Sequence, residues 1–289
     1  ETVIGNDVYV YRTNLKNDQT NFTVTYTPAS GPSTEPITRN IVIQKKIFNH
    51  SKGLFVSPNG RSSGKGTIGD PLDITTAIQY VLPGETIFMR GGTYTPSSMI
   101  RISKEYSGIK GKMKSIVPYK GEKVVIDGQG TLNEILRLEA DYWHLFGIEL
   151  TRAEATSMRI KGDHNIIELM TFSYNGNTGL HITGDGSDPN LWPKHNLVLN
   201  STSHHNEDSS QIDADGFAAK LGVGEGNVFR GNIAYHNVDD GWDLYNRINE
   251  GPNMPITLDG NIAYGNRNGF KVGGEGLLAL SLPTRPGQS

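Results

Sequence analysis

The sequence predicts an all-β chain built as a right-handed parallel β-helix, a solenoid of three-strand coils. A short N-terminal β appendage and one N-terminal capping helix complete the expectation. Three observations lead there. From about residue 85 onward, short strand-like runs alternate with turns, and no long amphipathic helix interrupts them. Four eleven-residue segments, Asn165–Asn175, Asn196–Asn206, Asn227–Asn237 and Ile256–Asn266, begin 31, 31 and 29 residues apart and all end in Asn. Each is followed by a glycine and an apolar residue: Gly179-Leu180, Gly216-Phe217, Gly241-Trp242 and Gly269-Phe270. A repeat of this length with three short strands per turn suits a parallel solenoid, and stacked asparagines suit its amide ladders. A sandwich or propeller would show hairpins with two-residue turns, and that rhythm is missing.

The elements follow in chain order. Within residues 1–50, Asp7-Val-Tyr-Val-Tyr, Phe22-Thr-Val-Thr-Tyr and Ile41-Val-Ile-Gln-Lys-Lys alternate or run apolar as strands do, with a Pro- and Ser-rich loop before the third. Three strands are too few for a sandwich, so residues 1–50 read as an appendage or the end of an accessory β domain. Residues 51–289 read as the β-helix. Near its start, Asp73-Ile-Thr-Thr-Ala-Ile-Gln-Tyr-Val-Leu places Ile74, Ala77, Ile78 and Val81 at helical spacing. Asp73 is the expected N-cap, and Pro83-Gly84 stops the run. Such a helix would shield the first coil's core from water. A strand is expected at Thr86-Ile-Phe-Met-Arg. At the far end, Leu278 to Ser289 carries no coil pattern, so the β-helix is expected to be C-terminally incomplete.

Composition excludes several classes. The formal net charge of −3 over 289 residues gives no basis for a nucleic-acid or anionic-membrane partner. No run approaches the roughly 20 apolar residues of a membrane span. With no cysteine, disulfides, thiolate nucleophiles and zinc–thiolate sites are all excluded. Glu1 opens the chain, and no signal peptide is visible in it.

The chemistry gathers in three segments that share one template. Aligning Gly216, Gly241 and Gly269 puts Asp215, Asp240 and Asn268 at one equivalent position, and Ala218, Asp243 and Lys271 at another. In adjacent coils, equivalent side chains stack roughly 4.8 Å apart. Asp215, Asp239, Asp240 and Asp243 would then converge, with Lys271 one coil beyond Asp243. Each Asp-Gly pair alone is a good turn sequence. Stacked like charges, however, repel unless a cation compensates, and several carboxylates suit calcium better than magnesium. Lysines usually point outward as solvated tails. A cation beside Lys271 would lower its pKa toward that of a base, while the aspartates would raise it.

These motifs, Asp213-Ala-Asp-Gly-Phe-Ala-Ala-Lys-Leu, Asp239-Asp-Gly-Trp-Asp-Leu-Tyr and Asn268-Gly-Phe-Lys-Val-Gly-Gly, resemble the core of family 9 polysaccharide lyases. Gly224-Glu-Gly-Asn-Val-Phe-Arg-Gly-Asn-Ile-Ala-Tyr and the opening Phe55-Val-Ser-Pro-Asn-Gly extend the resemblance over about residues 53–276. The resemblance implies a calcium-dependent pectate lyase cleaving polygalacturonate by β-elimination. Asp215, Asp239, Asp240 and Asp243 would ligate calcium, and Lys271 would be the catalytic base. Lys220 and Arg247 are weaker candidates for binding substrate carboxylates. The partner would be an acidic plant cell-wall polysaccharide, homogalacturonan or rhamnogalacturonan, met by a secreted or cell-surface bacterial monomer. A rhamnogalacturonan lyase of the same fold, and a non-catalytic or inactive truncated β-helix, are the alternatives. His204-His205 with Glu207 and Asp208 reads as a turn beside the Asn206 ladder position, not as a transition-metal site.

Overall fold

The computed structural model describes residues 2–3, 9–10, 19–26, 35–44, 46–48, 53–184, 186–247, 249 and 253–274. The chain divides into two compact units, Glu1–Phe48 and Asn49–Ser289. In the first, Gln19–Tyr26 pairs antiparallel with Ile37–Gln44, and Thr2–Val3 pairs antiparallel with Tyr9–Val10. The third strand therefore begins four residues earlier than its apolar run, because Ile37-Thr-Arg-Asn extends the ladder on a hairpin whose side chains are mostly exposed. The segment Leu278–Ser289 lies outside the described residues.

The second unit is a stack of coils with three parallel sheets of eight, seven and seven strands. Each coil visits the three sheets in turn, so every strand pairs with its equivalent one coil away. The eleven-residue segments each hold two strands. For example, Ile166–Glu168 and Thr171–Ser173 precede Asn175, and Leu180–Ile182 then follows the glycine. The one α-helix among the described residues is Ile74–Tyr80. Asp73 Oδ1 accepts from Thr76 N at 2.8 Å, and Oδ2 accepts from the Thr76 hydroxyl at 2.7 Å. The helix stops earlier than its hydrophobic pattern because Pro83 forces the preceding backbone to be extended; Val81 already is. No helix among the described residues is long and apolar enough to cross a membrane.

Two forces lock the coils in register. Inside, apolar residues stack in columns: the rings of Phe217 and Trp242 lie 5.0 Å apart, and Trp242 and Phe270 lie 4.9 Å apart. At the corners, asparagines form ladders. Asn175 N and Nδ2 both donate to Asn206 Oδ1, Asn206 repeats this to Asn237, and Asn237 to Asn266. Two more ladders occur where one was expected: Asn165–Asn196–Asn227, and Ser201 to Asn232 to Asn261. These side chains satisfy turn amides that burial has taken from water.

Replacing Asn206 with Ala strands the buried Asn175 amide and breaks the ladder on both sides. A loss of about 3 kcal/mol is expected in urea unfolding, with an unchanged m-value. A cost below about 1 kcal/mol would show that the ladder is decorative.

Candidate active site

At Gly216 and Gly241, in one seven-stranded sheet, neighbouring coils approach unusually closely. A Cβ on Gly241 would lie 2.5 Å from the Gly269 carbonyl oxygen, and one on Gly216 would lie 2.8 Å from the Gly241 carbonyl oxygen. Only glycine allows that approach, so the three glycines stack and the residues around them fall into columns. The strands Phe217–Ala219, Asp240–Asn246 and Asn268–Gly274 are neighbours in this sheet. Their register pairs Ala218 with Asp243, Asp243 with Lys271, and Asp240 with Asn268, as the glycine alignment predicts.

Three carboxylates meet there. Ligand oxygens of Asp215, Asp240 and Asp243 lie within 4.8 Å of one another, and all three residues are buried. Each has one oxygen tied by an uncharged donor. Asp215 Oδ1 accepts from Asp240 N at 3.3 Å, Asp240 Oδ1 from Asn268 Nδ2 at 2.7 Å, and Asp243 Oδ1 from Tyr245 N at 3.0 Å. The Oδ2 atoms are left for positive charge. Lys220 Nζ sits 2.9 Å from Asp215 Oδ2 and 2.5 Å from Asp243 Oδ2. Lys271 Nζ sits 3.2 Å from Asp240 Oδ2 and 3.4 Å from Asp243 Oδ2. Asp240 Oδ2 is buried and makes no well-directed hydrogen bond, although Lys271 Nζ lies 3.2 Å away. A hard divalent cation fits this donor set of convergent, buried carboxylate oxygens, one of them without a well-directed donor.

Two candidates sit elsewhere than expected. Asp239 is buried next to the cluster but outside the convergent three, and its carboxylate faces Arg267 at 3.9 Å. Consecutive residues at a strand start project to different sides, and Asp240 takes the inner place. Arg247 is exposed just past the strand end, and no ion pair joins it to the cluster among the described residues. Lys220 is not a solvated tail: it lies inside the cluster with its side chain 15% exposed.

Burial pushes the Asp215 carboxyl up to about 7; Lys220 opposes this, while Asp243 and Asp240 add to it. Asp239 is also raised, by burial first and then by Asp240. Burial pulls the Lys271 amine down, but the charges of Asp243, Asp240 and Asp239 outweigh it and the pKa rises. Lys220 follows the same pattern, with Asp215 and Asp243 prevailing over burial. Both lysines are therefore protonated counter-ions while no cation is bound.

Sequence reasoning missed the residues that aim these groups. Thr178 donates its hydroxyl to Asp215 Oδ2 at 3.1 Å, from the coil before. Asp208 accepts from the amides of Asp213 and Ala214 at 3.0 and 2.9 Å, shaping the loop that delivers Asp215. An aspartate a few residues before a loop's functional Asp was the available signal for Asp208. Thr178 had none. His204 ends the strand Thr202–His204 and stacks on Tyr235, while His205 follows it and stacks on Tyr174.

Fold and site together define a parallel β-helix protein carrying an acidic cluster with an adjoining lysine on one sheet face. The family model for the Pel9A-like, right-handed β-helix region matches residues 54–282, and the chain belongs to that family. Residues 1–46 match the model of the pectate disaccharide-lyase central Ig-like domain. Pectate lyase L of Thermoclostridium stercorarium is 38% identical over 91% of this chain and 23% of its own length. Pectate disaccharide-lyase of Dickeya chrysanthemi is 38% identical over 96% of this chain and 35% of its own. The chain thus spans about a quarter to a third of the length of these two relatives. The crystal structure of pectate lyase Pel9A superposes with a TM-score of 0.65 at 30% identity, covering 78% of this chain and 60% of that one.

The Asp215 shift has a sign that can be checked. Its folded pKa lies above the unfolded one, so its stabilisation is complete below about pH 4 and is lost as pH climbs through about 7. The raised lysines act only at far higher pH. The unfolding free energy in chelator should therefore fall as pH rises from about 4 to about 7, by on the order of a few kcal/mol, and Asp215→Asn should flatten that fall. An equal slope in the variant would refute the assignment.

Proposed function

We propose that this chain is the catalytic part of a calcium-dependent pectate lyase that cleaves polygalacturonate by β-elimination, leaving 4,5-unsaturated oligogalacturonides. The observation that carries the reading is the placement of Lys271, one coil from Asp243 and within ion-pair distance of two of the convergent carboxylates. Family membership and the names of the relatives support the same substrate class. A glycoside hydrolase would set two carboxyl groups apart as acid and base; three converge here beside an amine instead.

The chemistry demands this pairing. The C5 proton of a uronate is weakly acidic, because the neighbouring carboxylate resists further negative charge. A calcium ion held by Asp215, Asp240 and Asp243, with Asp239 adjacent, would neutralise that carboxylate and stabilise the developing enolate. Lys271 must be unprotonated to act. Compensating the charge of the three carboxylates removes what holds its proton, so its basicity depends on cation binding. Lys271 Nζ then takes the C5 proton, the C4–O bond breaks with its electron pair leaving on oxygen, and a C4–C5 double bond forms. The departing oxygen takes a proton from solvent. Asn268, Tyr245 N and Thr178 hold the carboxylates in place during the step. We place the enzyme outside a bacterial cell, acting on plant cell-wall pectin.

Wild-type protein should give a calcium-dependent rise in ultraviolet absorbance from polygalacturonate that chelator abolishes. Lys271→Ala should lower the rate by about 10²–10⁴-fold with calcium binding retained. A flat trace from folded, calcium-loaded wild type would overturn the pectate reading and turn attention to rhamnogalacturonan.

A further inference from the structure

The sheet that bears the cluster carries a second, oppositely charged feature. Its outward positions form one register column. From the cluster toward the N-terminus this column holds Asp243, Ala218, His181, Arg159, Arg137 and Arg101. Their flanking residues, such as Leu180, Ile182, Leu136 and Leu138, are core, so the alternation of a strand turns the column outward. Acid thus gives way to three successive arginines along the helix axis.

The arginines are held for use. Glu134, with its side chain 3% exposed, takes both forks of Arg137: Nε to Oε2 and Nη2 to Oε1, each at 2.8 Å. Arg159 Nε lies 3.1 Å from Glu134 Oε1 but is buried and makes no hydrogen bond. One buried carboxylate therefore positions two guanidinium groups and leaves a net positive charge. His181 supplies the independent sign of a ligand: it is 7% exposed, and its Nε2 is buried with no partner. Burial first, then the charges of Lys220, Arg159 and Lys161, hold the ring neutral. A neutral imidazole nitrogen ringed by cations suits a sugar hydroxyl, which can donate or accept and so satisfies either tautomer. The Arg159 side chain stays 34% exposed beyond its Glu134 contact, and a guanidinium group suits a carboxylate.

We propose that Arg159, His181 and Arg137 form a second uronate subsite, two to four coils from Asp243, gripping the same anionic chain whose reacting sugar lies at the cluster. At roughly 4.8 Å per coil, Arg159 stands about 14 Å from Asp243, so only a chain several sugars long reaches both. The substrate then runs along the helix axis toward the N-terminal coils. Glu134 is a positioning residue. This inference rests on the uronate reading of the cluster.

The test is calorimetric titration of calcium-loaded Lys271→Ala protein with saturated galacturonate dimer and hexamer, with and without Arg159→Gln. Expected is a loss of about tenfold in hexamer affinity, with dimer and calcium affinities unchanged and only partial recovery in Arg159→Lys. The loss should vanish with methyl-esterified hexamer. Equal losses for both lengths, no loss, no hexamer binding at all, or an accompanying loss of calcium affinity would each overturn the subsite. Product absorbance from the wild type separates the two readings. If absorbance is absent and the length dependence is intact, elimination falls and the subsite stands; the reverse pattern removes the subsite alone.

Discussion

Coil-to-coil register is the constraint on which everything else here depends. A parallel solenoid repeats its backbone every strand spacing, so whatever sits at one position of one coil is brought against the same position of the next. The stacked glycines Gly216 and Gly241 admit no Cβ, and the asparagine ladders resist slip, so the register is fixed from two sides. The site is a consequence. Asp243 meets Lys271, and Asp240 meets Asn268, because the strands that carry them cannot pair otherwise.

That same constraint creates an electrostatic problem. Two carboxylates held about 5 Å apart repel by about 3 kcal/mol at an effective dielectric constant near 20, and three of them here are buried. Two ammonium groups, those of Lys220 and Lys271, offset this when no cation is bound. The compensation is incomplete, as the raised Asp215 carboxyl indicates. A site left in that condition favours a stronger, harder positive charge than an amine can provide. Frustration of the metal-free state and affinity for a cation are one property.

Much of this was legible in the sequence, and the reason is periodicity. Asn175, Asn206, Asn237 and Asn266 announce the ladder, and the glycine alignment alone predicts the pairing of Ala218, Asp243 and Lys271. Repeats convert one-dimensional spacing directly into contact, which few folds do. What stayed hidden depends on direction within a coil. The alignment grouped Asp239 with Asp240, but adjacent residues point apart and only Asp240 joins the three. Lys220 was expected to face substrate, and its long chain folds back onto Asp215 and Asp243 instead. Thr178 stands before Gly179 as Asp215 stands before Gly216, but a hydroxyl carries no charge to mark it as part of the cluster.

The column from Lys271 and Asp243 to Arg101 extends the argument from one site to a face. On the proposed reading, acidic residues would hold a cation at one end while guanidinium groups stand along the rest, so both ends would attract parts of a polyanion by different means. At the cluster, a carboxylate would be bound through a shared cation. At Arg159 it would be bound by guanidinium hydrogen bonds, which need no metal. A neutral chain gains from neither, and a single small anion gains from one alone. Selectivity for a long acidic polymer then follows from spacing rather than from any one contact. The register that stacks the aspartates also sets the distance between the two ends.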